Sequence, residues 1–161
     1  MASTYEPIAS QTLGSAASSV SFTSIAADWT DLICVVQGTA SANGADVIMQ
    51  FNTDTASNYS QTVLRGNGST AVSARYTTQY LNSANTWGPS RLYTHVVQIM
   101  SYANTNIFKT SLTATAYAGG DVARIVNLWR STSAITSIEL KTASFTFAAN
   151  TTFSLYGIKA A

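Results

Sequence analysis

The sequence predicts an all-β protein: a single-domain antiparallel β-sandwich of about ten strands. Three observations predict it. The closing stretch 123–158 holds three β-type runs separated by small polar residues, and with its flanks it carries Trp129, Phe145, Phe147, Phe153 and Tyr156. Turn signals recur along the chain at spacings of roughly 10–15 residues, the pattern of a sandwich or barrel. Hydrophobic residues alternate with a period of two, and no window carries the 3.6-residue period of an amphipathic helix. At 161 residues, one domain is the natural expectation. Residues 1–17 read as an N-terminal extended arm or edge strand, and 18–161 as the sandwich.

In the arm, Tyr5, Pro7, Ile8 and Leu13 stand among small residues. Pro7 lacks a ladder donor, which assigns this stretch to an edge. A polar first segment frays unless something holds it, so pairing into a sheet or onto a neighbouring subunit is expected. Ser18–Ile25 alternates, with Val20 and Phe22 on one face. Asp28, Trp29 and Asp31 lie in a connecting turn. Leu32–Gln37 is apolar on both faces and reads as a central strand. Gly38–Gly44 is a loop by composition. Asp46–Asn52 alternates, with Val47, Met49 and Phe51 inward and Asp46, Ile48 and Gln50 outward.

Asn52–Ser60 is a polar loop that includes Tyr59. Gln61–Arg65 is a short strand, and Gly66-Asn67-Gly68-Ser69 is a strong hairpin signal, because Asn and Gly accept positive φ. Val72–Leu81 is extended. Asn82–Arg91, with Trp87, Gly88 and Pro89, reads as a second long loop. Tyr93–Tyr102 is a strong strand and 104–106 a turn. Ile107–Tyr117 alternates, with Phe108, Leu112, Ala114 and Ala116 on one face and Lys109, Ser111, Thr113 and Thr115 on the other. Gly119-Gly120-Asp121 turns into the closing runs 123–130, 134–140 and 152–158.

Composition excludes several functions. Charged residues make up 9% of the chain, against about 25% in average soluble proteins. Ser, Thr, Asn and Ala fill the deficit, which suits β-strands and also a surface buried in a larger assembly. The net charge is +1 and the eight basic residues are scattered from Arg65 to Lys159. No nucleic-acid partner is expected, since phosphate neutralisation needs a basic cluster. No apolar run reaches the length of a membrane span, and the N-terminus has neither a basic n-region nor an apolar h-region. The single cysteine, Cys34, excludes an intrachain disulfide. It stands within Leu32-Ile33-Cys34-Val35-Val36 and reads as a small buried core residue rather than a reactive thiol.

Catalysis finds little support. The only histidine, His95, sits in a strand beside Val96 and Val97 and reads as a hydrogen-bonded structural residue rather than a general base. One Cys and one His exclude a metal site built from those ligands. The seven acidic residues fall mostly at turns and strand ends, against a glycosidase pair. Asn52, Asp54 and Asn58 have the oxygens for Ca²⁺ but too little charge. No cofactor is expected. The sequons at Asn58, Asn67 and Asn150 are chance products of this composition. Trp29, Tyr59 and Trp87 sit in predicted connections, where aromatics either stack on sugars and anchor interfaces or cap the ends of a sandwich.

Several stretches together resemble a known family: Tyr5-Glu-Pro-Ile-Ala-Ser-Gln-Thr-Leu-Gly-Ser15, Trp29-Thr-Asp-Leu-Ile33, Phe51-Asn-Thr-Asp-Thr-Ala-Ser-Asn-Tyr-Ser60, Leu64-Arg-Gly-Asn-Gly-Ser69, Leu128-Trp-Arg-Ser-Thr-Ser-Ala-Ile-Thr-Ser-Ile138 and Phe153-Ser-Leu-Tyr-Gly-Ile158. They resemble small virion structural proteins of tailed bacteriophages, over nearly the whole chain and in matching order. The resemblance implies a jelly-roll or lectin-like sandwich with no catalytic residues. It implies a virion protein made in the bacterial host cytoplasm and placed on the outer surface of a capsid or fibre. The first expectation is a capsid decoration (cement) protein, a homotrimer bridging subunits of the major capsid protein through edge strands and the N-terminal arm. The low charge and the lack of a separate shaft or anchor domain fit that expectation. The alternative is the head of a tail or capsid fibre, recognising host surface glycan through loop aromatics such as Trp87. Tyr5, Pro7, Trp29, Tyr59 and Trp87 are the expected contact residues.

Overall fold

The computed structural model of the chain describes residues 4–117 and 120–159. They form twelve strands: β1 (Tyr5–Thr12), β2 (Ser19–Phe22), β3 (Asp31–Gly38), β4 (Ala45–Phe51), β5 (Tyr59–Gly66), β6 (Ala71–Thr78), β7 (Leu81–Trp87), β8 (Tyr93–Met100), β9 (Lys109–Tyr117), β10 (Val122–Trp129), β11 (Ile138–Thr142) and β12 (Thr152–Ile158). The fold is a jelly-roll-like antiparallel sandwich. An eight-stranded sheet runs β1-β12-β3-β8-β9-β10-β5-β6, and a four-stranded sheet runs β2-β11-β4-β7. The chain passes repeatedly from one sheet to the other, which is how a sandwich closes its core with short connections. Residues 1–3 of the expected arm and Gly119 of the expected turn lie outside the described residues.

The core fills the space between the sheets. Leu32, Cys34 and Val36 of β3, Val97 and Ile99 of β8, and Phe153 and Leu155 of β12 meet Val20, Phe22, Val47, Met49, Phe51 and Leu140 from the small sheet. These positions alternate along each strand, as a half-buried sheet requires. Turn chemistry also holds where it was legible. The Asn67 side-chain oxygen accepts from Ser69 N–H (3.0 Å) and Thr70 N–H (2.7 Å), and Gly68 takes φ +88°. β1 is one edge of the large sheet, paired with β12, and its ladder is irregular between Pro7 and Ala9.

The structure departs from or refines several expectations. Asn82–Arg91 is not a loop at its start: Leu81–Trp87 forms β7 and pairs with β4. Its sequence, Leu-Asn-Ser-Ala-Asn-Thr-Trp, has no β-branched run, so pairing across the sheet rather than propensity makes it a strand. The strand expected at 134–140 is Ile138–Thr142, because the preceding segment crosses between sheets. Ile48 and Gln50 lie on the face away from the core, as expected, but are buried there. The Gln50 carboxamide donates to the carbonyls of Asp54 (3.3 Å) and Gln79 (2.8 Å), so those segments cover it. On β9 the choice between the two faces runs against polarity. Lys109, Ser111, Thr113 and Thr115 face the interior, while Phe108 and Leu112 are exposed. β9 is inverted relative to its hydrophobic pattern, because its neighbours set its register. Thr113 pairs with Val97 and Ile125, whose side chains are inside, and paired residues share a face.

Candidate functional site

The inversion of β9 leaves an apolar surface on the outside of the large sheet. Outward positions on four adjacent strands are Val96 and Gln98 on β8, Leu112 and Ala114 on β9, Val126 and Arg124 on β10, and Thr62 and Leu64 on β5. Leu64 is 60% exposed, Val122 58%, Val126 53% and Leu112 44%. A contiguous exposed apolar patch of this kind marks an interaction surface. A groove of about 720 Å³ runs across it, lined by Leu64, Ala71, Val96, Ala114, Ala116 and Val122 among others. It reaches from β6 to β8, with β5, β10 and β9 between, so this face is concave. A smaller hollow of about 330 Å³ continues it between Leu64, Leu112 and Val126. Arg124 places a cationic side chain near the centre.

The inner side of β5 and β6 is only partly covered by the small sheet. A cleft of about 410 Å³ opens there, against β4 and β7. Its wall is mixed: Val63, Val72 and Ala74 beside Gln61, Asp46, Asn82 and Arg65, with Tyr76 and Tyr80 at the side. Asn82 Nδ2 donates to Asp46 Oδ2 (3.1 Å), and the Asn82 backbone N–H donates to Gln61 Oε1 (2.9 Å). Arg65 Nε lies 3.5 Å from Asp121 Oδ2.

Between the two surfaces lies a polar interior. Asn127 Nδ2 donates to Ser111 Oγ (3.2 Å) and Thr113 Oγ1 (3.0 Å). Lys109 Nζ donates to the carbonyls of Ile107 (2.9 Å) and Thr132 (3.1 Å), and burial lowers its pKa. Among the described residues, four buried atoms have no hydrogen-bond partner: Trp87 Nε1, His95 Nδ1, Thr115 Oγ1 and Asn127 Oδ1. His95 was expected to be hydrogen-bonded, and its Nδ1 is not. Burial pushes its pKa down to about 4, so it is neutral at pH 7. Burial likewise pushes the Cys34 thiol up to about 12. A sealed neutral imidazole and a sealed thiol are poorly placed to attack a substrate.

The five residues expected as contacts do not form one site. Tyr5 and Pro7 lie on the β1 edge, where Tyr5 is exposed. Trp29 is half-buried and clamps that edge: its Nε1–H donates to Glu6 Oε2 (3.2 Å), and its ring lies so close to Gly157 that a Cβ there would meet it at 2.2 Å. That hydrogen bond, then Lys159, holds the Glu6 carboxyl below its usual range. Tyr59 and Trp87, expected in loops, begin β5 and end β7 and are fully buried. They cap the two ends of the interior. Trp87 stacks on Tyr93 at 5.0 Å and meets Phe147 edge-on at 6.2 Å. Tyr59 stacks on Trp129 at 6.2 Å, and Phe51 meets Trp129 edge-on.

The oxygens weighed for Ca²⁺ are committed elsewhere. Asp54 accepts from Trp129 Nε1 (2.7 Å), Asn58 Nδ2 (3.0 Å) and Ala56 N–H (2.9 Å). Burial opposes its charge, and these hydrogen bonds outweigh it, leaving the carboxyl below its usual pKa. Asn52 bonds Ala134, Thr136 and Ser137. Among the described residues no three His, Cys, Asp or Glu side chains converge on a possible metal position. Sequence reasoning missed Tyr76 and Tyr80 because both lie in a stretch read only as extended. It missed the apolar face because alternation along β9 does not say which of its two faces turns inward.

No protein-family profile and no curated protein matches the chain. Solved structures do. An exo-inulinase from Aspergillus awamori superposes with a TM-score of 0.50 at 11% identity, over 96% of this chain and 29% of the inulinase. The chain therefore spans less than a third of that enzyme's length. Caenorhabditis elegans galectin LEC-6 gives 0.38 at 11% identity, over 94% and 96% of the two chains. Alginate lyase Aly36B gives 0.38 at 9%, over 92% and 77%. At 11% identity, the likeness to the inulinase is one of fold.

Proposed function

We propose that this chain is a non-enzymatic bacteriophage virion structural protein, most simply a capsid decoration protein that docks on the major capsid shell. The observation that carries the proposal is the concave apolar face of β8, β9, β10 and β5. Burying Leu64, Leu112, Val122 and Val126 against a partner removes apolar area from water at about 25 cal/mol per Å², and the cations that have to be paired or desolvated there are few: Arg124, with Arg75 on the neighbouring β6. The long edge strand β6 adds to the docking surface. It is paired only with β5, carries neither Lys nor Pro, and is exposed on both faces. Such an edge invites strand pairing with a neighbour. A homotrimer that presents three such faces to the shell fits this reading, as does the low charge.

The test is the copy number of the chain relative to the major capsid protein in purified virions. A ratio within a few-fold of one supports decoration. Particles assembled with Val126→Asp are expected to lose the chain while the free variant stays folded. Incorporation at the wild-type level would remove the apolar face from the argument. A ratio of a few per hundred favours the second reading, a fibre head that recognises host surface glycan. The mixed cleft between β5–β6 and β4–β7 favours that reading over the buried Trp87.

A further inference from the structure

We infer that the cleft between the β5–β6 hairpin and the β4–β7 side of the small sheet is a binding site for a neutral saccharide, with Tyr76 as its stacking platform. The inference deepens the fibre-head reading and rests on it for its biological setting. Tyr76 is 49% exposed, an aromatic ring on a strand with no packing role that demands it. It shares the cleft with Tyr80, which is half-buried. A tyrosine offers an apolar face with a polar tip, which matches a pyranose ring, whose C–H face is apolar and whose rim is hydroxyls.

The polar groups opposite are held before any ligand arrives. Gln61 is nearly fully buried, and its Oε1 is pinned by the Asn82 backbone at 2.9 Å. Asp46 is pinned by the Asn82 side chain at 3.1 Å. Groups fixed in this way lose little conformational entropy on binding. A carboxylate, two carboxamides and a guanidinium beside an apolar floor of Val63, Val72 and Ala74 provide both donors and acceptors, as the hydroxyls of a sugar require.

Charge and size narrow the ligand class. The Asp46 carboxylate repels anions, and the nearest cation, Arg65, already lies 3.5 Å from Asp121. A phosphate or an acidic peptide therefore gains little. The volume of about 410 Å³ lies near the lower end of the roughly 300–1,000 Å³ typical of small-molecule sites. It has room for a short saccharide and none for a folded partner.

The experiment is a titration of the isotope-labelled full chain, followed by amide correlation spectra, with maltose, lactose and N,N′-diacetylchitobiose as probes and sodium phosphate as the anion control. The expected result is that at least one disaccharide moves the amide signals of Gln61, Tyr76, Tyr80 and Asn82. Tyr76→Ala should then weaken binding by about tenfold or more, and Leu64→Ser, on the opposite face, should leave it unchanged. Both replaced residues are exposed, so both variants should fold, and the spectra report that directly. The inference is overturned if no disaccharide moves the cleft signals, if Tyr76→Ala binds like the wild type, or if phosphate alone moves them. Binding by the isolated chain tests the site and copy number per virion tests the setting, so the two fail separately.

Discussion

The two halves of the eight-stranded sheet use opposite rules. In the half made by β12, β3 and β8, the inner face is Leu32, Cys34, Val36, Val97, Ile99, Phe153 and Leu155, all buried against the small sheet. In the half made by β9, β10 and β5, much of the inner face is Lys109, Ser111, Thr113, Thr115, Asn127 and Gln61, while Leu64, Leu112 and Val126 point outward. The first half is a conventional hydrophobic core. The second is partly inside out. Small hydroxyl side chains on β9 let β7 approach closely, and β7 does lie against β5, β9 and β10. The apolar residues displaced by that arrangement form the outer groove. Apolar side chains thus dominate the inner face of the first half, while the second half mixes polar and aromatic residues inside and turns aliphatic ones outward.

Truncation in the conventional half should have the largest effect. Phe153 is fully buried and meets Phe147 edge-on at 4.9 Å. Phe153→Ala should cost about 3–5 kcal/mol in urea or thermal unfolding. A loss below about 1 kcal/mol would place the stability elsewhere.

The boundary between the halves should respond to pH. His95 pairs with Val36 on one side and Thr115 on the other. Its folded-state pKa of about 4 lies below the unfolded value of 6.5. Between those values the unfolded chain binds more protons, so stability is complete above pH 6.5 and falls as the pH drops towards 4. The loss should be on the order of 3 kcal/mol. In His95→Gln, the slope of unfolding free energy against pH in this window should flatten. An unchanged slope would assign the titration to another group. Asp54, whose carboxyl is held low, adds its own loss only at more acid pH, as protonation overtakes it.

A smaller effect is expected within the polar interior. Thr113→Val keeps the shape and removes the acceptor 3.0 Å from Asn127 Nδ2, which still has Ser111. The cost should be about 1 kcal/mol. A cost near that of Phe153→Ala would mean that the polar row is a cooperative network rather than a filler.

The smallest effect on folding belongs to the outer face. Leu112→Ser should change the stability of the free protein by no more than about 0.5 kcal/mol, while weakening any association through that face. A clear destabilisation of the monomer would show that the groove is structural.

The amino-acid sequence alone is enough to make the chain all β. Period-two alternation, the Gly66–Ser69 turn and the aromatic closing runs are local signals, and local sterics enforce them. It also pointed to Cys34 lying inside, because it stands within the apolar run Leu32–Val36. It did not determine which side of β9 faces the core. A period of two defines two faces but does not choose between them. Hydrogen-bonded register with β8 and β10 makes that choice, and the 109–115 row goes inward against its own polarity. Nor did it make Leu81–Trp87 a strand, since only the partner β4 supplies the ladder. The burial of Tyr59 and Trp87, and the convergence of Tyr76, Gln61, Asp46 and Asn82 on one cleft, were likewise decided by the tertiary structure. Residues up to 36 positions apart meet there, and a pattern read along the chain carries no information about which strands come to lie side by side.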